Sequence, residues 1–389
     1  MKSADWITKL SALNTMLRRR QLCWAATLAL AGCASEPRQP PTRVLTVPER
    51  IWDGETAELA DRVSARVLVA THAGSVSMLE LRHWREGLKA HPAMRAAQAD
   101  LGGRLPPIWE LSNPDARGAF VALVTDEGDR RHALRLLHPG RAQRVLRREA
   151  GEPLWDRAVS GMALSPDGRR LAMVVQTDPA VRHRPLHLGR LVVLDLAAPP
   201  GADGLPPELP LPRAADGFPL ELGQRPAWIN GGRQLLVAAA GPQGRAATDK
   251  PVAPALQPDP QIELIDLDQQ TRTVVMPGHS PMTGGQGAGF MLARGSSFNW
   301  SQVDAPGEGL RPVPRKHGLS TPVALIDQRY LLFVGTPHPQ SPRELTANNS
   351  PLVGPKTMLA LKVMDLQTQA VLTLLEGVDP RRRITAGPA

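Results

Sequence analysis

The sequence predicts an all-β protein assembled from repeated four-stranded antiparallel sheets. Three observations support this fold class. The 389 residues include 39 Pro and 34 Gly, and both residue types interrupt helices, which excludes a helical bundle. Apolar residues make up 42% of the chain, close to the average of folded domains, so the chain is not broadly disordered. Strand–turn–strand segments of one pattern recur along the sequence, as is typical of repeat architectures.

The clearest repeat is a predicted β-hairpin at residues 162–175. Two apolar runs flank the tripeptide formed by Pro166, Asp167 and Gly168. Pro and Asp favour the early positions of a tight turn, and Gly adopts positive φ without steric cost. Apolar runs joined by such a turn predict two antiparallel strands.

The same pattern recurs at residues 226–238, where Asn230, Gly231 and Gly232 occupy the turn. Asn and Gly both tolerate the left-handed backbone that a tight turn requires, so this replacement preserves the hairpin. Looser copies of the pattern lie at residues 111–124 and 322–334. We therefore expect one hairpin in each of several similar sheets.

A second motif, an apolar strand that ends in Asp-Leu, follows three of these hairpins. The three acidic residues are Asp195, Asp266 and Asp365. Polar turns then lead from the last two strands into further apolar runs, so one unit contains four antiparallel strands. Because the acidic residue recurs once per unit, we expect it to accept hydrogen bonds from turn amides rather than to catalyse a reaction.

These residues resemble the repeat of the TolB-type, WD40-like propellers. Residues 165–172 are similar to the core of that repeat, and the Asp-Leu strands are similar to its third strand. The resemblance covers about residues 105–376 and implies a β-propeller of six blades, with seven as the alternative. Further blades are expected at residues 289–301 and at 66–81. A β-sandwich with coincidental hairpins is the alternative fold.

The first 33 residues have the pattern of a bacterial lipoprotein signal. A basic run at residues 18–20 precedes an apolar run at 22–30, which is too short to span a bilayer. The run ends in a motif that resembles the lipobox, whose residues are Leu30, Ala31, Gly32 and Cys33. Small residues at 31 and 32 suit an extended substrate of a signal peptidase, and the thiol of Cys33 is the expected site of lipidation. A twin-arginine export signal is an alternative for the basic run.

The organisation that follows has four segments. Residues 1–32 are predicted to be a signal peptide, with Met16 as an alternative start. Residues 33–50 are predicted to be a lipidated cysteine with a flexible Pro-rich tether. Residues 51–378 are expected to form the propeller and residues 379–389 a C-terminal tail. By analogy with lipoprotein sorting, the residues after Cys33 favour the periplasmic face of the outer membrane over the inner membrane.

Composition excludes several functions. The formal net charge is +9, yet no block of five like charges occurs, so nucleic-acid binding is not expected. Both cysteines, Cys23 and Cys33, precede the predicted ring, which excludes a disulfide framework and a cysteine-based zinc site there. No nucleophile-elbow or phosphate-loop motif is present. We expect no catalytic residue, no metal and no cofactor.

The predicted binding surface is the end of the ring that carries the long loops between second and third strands. These loops lie at residues 176–189, 241–261 and 335–357, and long loops on a rigid scaffold are frequent recognition sites. The Pro-rich segment 198–226, which is predicted to link two blades, is expected on the same face. Neutral insertions are the alternative. The candidate contact residues are His183, Arg184, His187, Arg245, Lys250 and His338.

The expected function is that of a monomeric, lipid-anchored propeller that binds a protein partner in the cell envelope without catalysis. Two alternatives remain. One is a propeller enzyme, a hydrolase or lyase, with its site in the central channel. The other is a polysaccharide-binding lipoprotein with a track of exposed aromatic residues. The sequence does not identify the partner.

Overall fold

A computed structural model provides the structure of the chain, and the residues that it describes begin at Leu45. The described ranges are 45–51, 54–71, 74–94, 107–125, 132–141, 143–146, 159–176, 188–201, 205–212, 220–221, 225–239, 260–284, 286–294, 297–303, 310–314, 318–336, 359–379 and 382–389.

The described residues are almost entirely β-structure. In the first half of the chain the strands are Ala65–Ala70 (β1), Val76–Glu80 (β2), Lys89–Ala90 (β3), Ile108–Leu111 (β4), Phe120–Thr125 (β5), His132–Leu137 (β6), Arg144–Leu146 (β7), Val159–Leu164 (β8), Arg170–Gln176 (β9), Leu188–Asp195 (β10), Leu220–Glu221 (β11) and Ala227–Ile229 (β12). In the second half they are Gln234–Ala239 (β13), Gln261–Asp266 (β14), Thr271–Pro277 (β15), His279–Met282 (β16), Gly289–Arg294 (β17), Ser297–Gln302 (β18), Arg311–Pro312 (β19), Leu319–Ile326 (β20), Tyr330–Gly335 (β21), Leu359–Asp365 (β22), Val371–Val378 (β23) and Arg383–Pro388 (β24). Short 3-10 helices span Ala60–Arg62, Leu81–Glu86 and Asn230–Gly232.

The strands form six four-stranded antiparallel blades, which confirms the predicted propeller and its blade number. The first blade has the order β24-β1-β2-β3, and the others contain β4–β7, β8–β11, β12–β15, β16–β19 and β20–β23. The third and fourth blades are joined into one sheet, because Leu220 on β11 pairs with Ala239 on β13. The blades expected at residues 66–81 and 289–301 are the first and the fifth.

At five of the six junctions between blades, the first strand of one blade contacts the first strand of the next, and these contacts close the ring. Strand β24 contacts β4, β4 contacts β8, and β8 contacts β12. The fourth blade contacts β16 through β13, β16 contacts β20, and β20 contacts β24 again. These strands are therefore the innermost ones and surround a central channel. Because neighbouring strands are antiparallel, first–second and third–fourth turns share one end of the ring, which we name the turn face. The opposite end is the loop face.

Both faces of each blade are buried against a neighbour, which explains the continuous apolar runs in the sequence. On β9, Leu171 and Met173 pack with Val121 of the second blade. The alternate residues, including Val174, pack with Trp228 of the fourth blade. Successive side chains on a strand point to opposite sides, so one apolar run fills two interfaces.

The C-terminal segment corrects one expectation. Residues 379–389 were predicted to be a tail, but 383–388 form β24, which pairs with β1 from Ala65↔Pro388 to Ala70↔Arg383. The strand is short and ends in Gly-Pro, so the sequence alone resembles a turn. Its partly buried Ile384 packs against the core between the first and sixth blades.

The segment before the fourth blade corrects another expectation. Residues 198–226 were predicted to be an inter-blade link on the loop face. Part of this segment completes the third blade instead, because Leu194 forms a β-bridge with Glu208 and β11 pairs with β10. The Arg190 guanidinium also contacts the Glu208 carboxylate at 3.1 Å. The fourth strand of this blade is thus interrupted, which hides it from a sequence pattern.

An N-terminal arm, residues 45–51 and 54–56, lies along the outer strand of the sixth blade. Thr46 and Glu376 exchange backbone hydrogen bonds, and the amide of Thr56 donates to the carbonyl of Val371 at 2.7 Å. The predicted tether at 33–50 is therefore corrected at its end, because residues 45–50 belong to this arm.

The arm carries a buried carboxylate that we name, with its partners, the latch: Glu55, Lys362 and Thr373. The Glu55 side chain is 1% exposed and its Oε1 lies 3.7 Å from the Lys362 Nζ, which is fully buried. The Thr373 hydroxyl and amide both donate to this carboxylate, at 2.6 and 3.0 Å. Burial lowers the pKa of Lys362, and the charge of Glu55 opposes that shift.

Within the described residues no helix is long and apolar enough to span a bilayer.

Candidate functional site

The residues predicted from the sequence to carry function fall mostly outside the described part of the chain. This holds for Cys33 and for the preceding Leu30, Ala31 and Gly32. It also holds for all six candidate contact residues, His183, Arg184, His187, Arg245, Lys250 and His338. The turn residues and the channel are described, and the geometry below comes from them.

On the turn face, the tight turn of the third blade is built as its residue types suggest. Gly168 has φ of +71°, and a Cβ there would collide with the carboxylate of Asp115 in the second blade. Asp167 Oδ1 accepts hydrogen bonds from the Ser165 hydroxyl and the Arg169 amide, at 2.6 and 3.0 Å. Pro166 connects two blades, because its carbonyl accepts the amide of Ala116 at 2.9 Å.

In the fourth blade the turn residues are Asn230, Gly231 and Gly232, and they form a short 3-10 turn. Asn230 and both glycines have positive φ. The carbonyl of Gly232 accepts a hydrogen bond from the Arg170 guanidinium of the third blade at 3.2 Å. These residues therefore shape the turn face and join neighbouring blades.

The three repeated aspartates cap their own turns, as predicted. Asp195 Oδ1 accepts the amides of residues 197 and 198, Asp266 Oδ1 those of 268 and 269, and Asp365 Oδ1 those of 367 and 368. Asp365 additionally forms a two-point contact with Arg329, at 2.9 and 2.5 Å. Burial raises the pKa of Asp365, but the Arg329 and amide hydrogen bonds outweigh it and hold the pKa at about 2.

All six blades contribute to the wall of a cavity in the central channel. One lining residue from each blade, in ring order, is Ala386, Asn113, Ala163, Ala227, Met282 and Val323. The cavity has a volume of about 40 Å³, which is room for a few water molecules.

Two cross-blade hydrogen-bond sets hold the cavity wall. Asn113 bonds both the amide and the carbonyl of Leu164, at 3.0 and 2.8 Å. Trp228 is buried and its Nε1 donates to the Ala163 carbonyl at 2.9 Å. Buried polar groups that are satisfied in this way fix the distance between blades, so the channel wall is preorganised.

A charged group lies towards the end where the innermost strands begin, which is the loop face. We name it the mouth cluster: Glu110, Arg225 and Arg383. The Arg225 guanidinium contacts Glu110 Oε1 at 3.1 Å and donates to the Leu111 carbonyl at 3.0 Å. Arg383 Nη1 lies 3.4 Å from Glu110 Oε2. Glu110 belongs to the second blade, Arg225 lies just before the first strand of the fourth blade, and Arg383 belongs to the first blade. The cluster therefore connects the second and fourth blades, which are not adjacent.

The mouth cluster is partly open to solvent. The side chain of Glu110 is 12% exposed, that of Arg225 32% and that of Arg383 52%. Trp109, the residue before Glu110 on the innermost strand, is 45% exposed. Two cations around one carboxylate give the cluster a net positive charge, and an exposed indole lies beside it in the chain.

Sequence reasoning missed this cluster. Glu110 and Arg225 are 115 residues apart, and neither belongs to the repeat pattern. The nearest signal was the basic run at residues 381–383, which the sequence suggested was a solvated tail. Glu110 interrupts the apolar run of β4, and a charged residue within such a run is the signal that could have marked this strand. Among the described residues no group of three or more His, Cys, Asp or Glu is placed to hold a metal ion.

A six-bladed propeller with a narrow channel is the class of protein that this geometry defines. No family model and no curated protein matches the sequence. TolB from Acinetobacter baumannii has a similar structure, with 11% identity and a TM-score of 0.51, covering 84% of this chain and 67% of that one. At this identity the likeness shows the fold, which is the TolB-type propeller that the sequence resembled.

Two further solved structures show a lower likeness. A TolB-like protein from Agrobacterium tumefaciens has 11% identity and a TM-score of 0.45, covering 84% of this chain and 99% of that one. An oligogalacturonate lyase in complex with manganese has 14% identity and a TM-score of 0.41, covering 67% and 64%. A fold by itself does not assign an activity.

Proposed function

We propose that the chain is a lipid-anchored propeller of the bacterial cell envelope that binds a protein partner at its loop face. The mouth cluster is the observation that carries this proposal. Arg225 and Arg383 surround Glu110, and Trp109 is exposed on the same strand. Arginine and tryptophan are the residue types that contribute most often to protein-binding hot spots. A carboxylate-bearing segment of the partner would meet the net positive charge.

The same geometry favours binding over catalysis in the channel. Among the described residues, Glu110 lies at the channel mouth with a guanidinium group on each of its two oxygens: Arg225 contacts Oε1 and Arg383 contacts Oε2. Both oxygens are thus engaged by cations of the protein itself, which suits a recognition surface.

Anchoring is proposed from the sequence. Lipidation at Cys33, followed by a tether up to the arm, would keep the ring close to a bilayer, and two or three acyl chains give a stable anchor. The periplasmic face of the outer membrane is the proposed location. The shared fold with TolB supports an envelope role by analogy alone.

A site-specific photo-crosslinking experiment tests the binding site. A photoreactive phenylalanine analogue replaces Trp109 in the full chain, and a matched control carries it at Val274, an exposed apolar residue on β15. After irradiation of native membranes we expect one discrete adduct from position 109 and none from 274. Arg383→Glu is expected to remove the adduct, because it reverses a charge at the mouth without disturbing the core.

Two outcomes would count against the proposal. Equal adduct patterns from positions 109 and 274 would show non-specific proximity, and no adduct at 109 would show that the mouth has no protein partner. Cys33→Ala tests the anchor separately: it should release the protein from membranes and abolish the adduct while the ring still folds.

A further inference from the structure

The turn face carries a row of arginines that the proposed function does not use. We name them the arginine crescent: Arg117, Arg141, Arg169 and Arg233. All four are exposed. Arg117, Arg169 and Arg233 follow the first–second turns of the second, third and fourth blades, and Arg141 lies in the third–fourth turn of the second blade.

The crescent is continuous because its turns are bonded to one another. The amide of Ala116 donates to the Pro166 carbonyl, joining the second and third blades. Arg170 donates to the Gly232 carbonyl, joining the third and fourth. Arg117 and Arg141 both lie close enough to His138 to influence its protonation. The arginines thus share one rigid surface.

The neighbouring carboxylates are used to hold the turns. Asp115 Oδ1 accepts the amides of Arg117 and Ala119, at 2.9 and 2.7 Å. Asp167 Oδ1 accepts the Arg169 amide at 3.0 Å. In both turns the arginine stands two residues after the aspartate, so the carboxylate faces the backbone while the guanidinium reaches solvent.

The other half of the turn face has a different charge pattern. In the sixth blade Arg329 contacts Asp365 at two points, and Asp327 is exposed. Among the described residues the crescent arginines have no comparable ion-pair partner. Exposed Arg62 and Arg82 extend the basic surface onto the first blade.

We propose that the arginine crescent docks on an anionic phospholipid surface and orients the ring with its turn face towards the membrane. This inference rests on the proposed lipid anchor. Each basic residue near an anionic bilayer contributes a small attraction, which would not retain a free protein. For a tethered ring the local lipid concentration is already high, so a few contacts suffice to set orientation. The loop face then points away from the membrane towards a partner.

Fluorescence quenching in vesicles tests the orientation. The acylated full-length protein has no other cysteine after Cys33, so a label can be placed at Ala116→Cys on the turn face or at Ser297→Cys at the opposite end. The proteins are reconstituted into vesicles of phosphatidylcholine alone or mixed with phosphatidylglycerol, with a quencher on the lipid headgroups. We expect stronger quenching at position 116 in the anionic vesicles, and none of this increase at position 297.

Charge removal supplies the matched comparison. The variant Arg117→Gln, Arg169→Gln, Arg233→Gln should lose the whole increase in quenching at position 116. A control that removes three exposed arginines elsewhere, Arg50→Gln, Arg294→Gln and Arg311→Gln, should retain it. Quenching that is independent of lipid composition, or equal in both variants, would overturn the proposal. Loss of a protein adduct from the crescent variant with unchanged quenching would assign the crescent to an acidic protein instead.

The anchor and the crescent fail in distinguishable ways. If the wild-type protein does not float with vesicles of either composition, the proposed lipid anchor is wrong. The crescent is then judged by sedimentation of the same protein with phosphatidylglycerol vesicles at low salt: binding that the triple variant loses supports it, and equal binding of both proteins overturns it.

Discussion

Two carboxylates in this ring each meet a cation from a distant part of the chain, but their surroundings differ. In the latch, Glu55 and Lys362 are 1% and 0% exposed. In the mouth cluster, Glu110 meets two arginines that are 32% and 52% exposed. A charge sealed from water depends on its partner, whereas a charge at an opening can be hydrated when its partner leaves. The comparison separates a group that maintains structure from one that is able to exchange partners.

The largest expected effect comes from opening the latch. Glu55→Gln should lower the free energy of unfolding by about 3–5 kcal/mol, because it removes the carboxylate that contacts the buried Lys362 ammonium. Denaturant unfolding monitored by tryptophan fluorescence measures this loss. Glu58→Gln, at an exposed position two residues after the arm, is the matched control and should change stability little.

A double variant sharpens the same test. Glu55→Gln combined with Lys362→Met should recover part of the lost stability, because both charges are then absent from the interior. If Glu55→Gln and Glu58→Gln unfold at the same denaturant concentration, the latch does not hold the arm on the sixth blade.

A second sealed group, His91, should make stability depend on pH. Its ring is fully buried and bonds the Gly118 carbonyl at 2.8 Å. Burial lowers its pKa to about 4, with the charge of Arg66 adding to the shift and the Gly118 bond opposing it. The unfolded chain takes up a proton below about pH 6.5 while the folded chain stays neutral, so about 3 kcal/mol of stability should be lost as the pH falls from 6.5 to 4.

Unfolding of the wild type and of His91→Gln across this range isolates the effect. The variant should be less stable at pH 7 and should show a much shallower loss towards pH 4. Parallel curves for the two proteins would assign the pH dependence to other groups, such as His138, whose pKa burial also lowers.

The open site should show a smaller effect on stability. Glu110→Gln is expected to cost about 1 kcal/mol or less, because Arg225 and Arg383 remain in contact with water. Calorimetric melting of this variant beside Glu55→Gln gives the contrast directly. A loss as large as that of the latch would mean that the mouth cluster is a structural brace rather than a binding site.

The smallest effect is expected from Arg383→Gln. This substitution removes a half-exposed guanidinium, so the free energy of unfolding should change by no more than about 0.5 kcal/mol, as for ordinary surface substitutions. The melting temperature should therefore stay close to that of the wild type. Partner crosslinking from position 109 should fall in the same variant. Unchanged crosslinking with unchanged stability would exclude Arg383 from the contact.

Local sequence patterns predicted the repeating parts of the fold, and long-range contacts escaped them. Asp167 and Gly168 predict a turn from the sequence because their backbone preferences act within four residues. The contact between Glu110 and Arg225 could not be predicted from the sequence, because only closure of the ring brings the two residues together. The same is true of Glu55 and Thr373, which are 318 residues apart. The innermost strand β24 was not predicted, because its six residues are few and end in Gly-Pro, which is equally typical of an unstructured tail.

The first blade combines three early strands with the last strand of the chain, and this has a consequence for folding during synthesis. Its β1, β2 and β3 are made early, whereas β24 begins at residue 383, so a growing or translocating polypeptide holds three quarters of a blade with an unpaired inner edge for most of its synthesis. Pairing between such distant segments is slow, and an unpaired edge invites association with other chains. Folding of this protein during synthesis should therefore depend on chaperones until β24 is made, and depletion of such factors should leave aggregates rather than open rings.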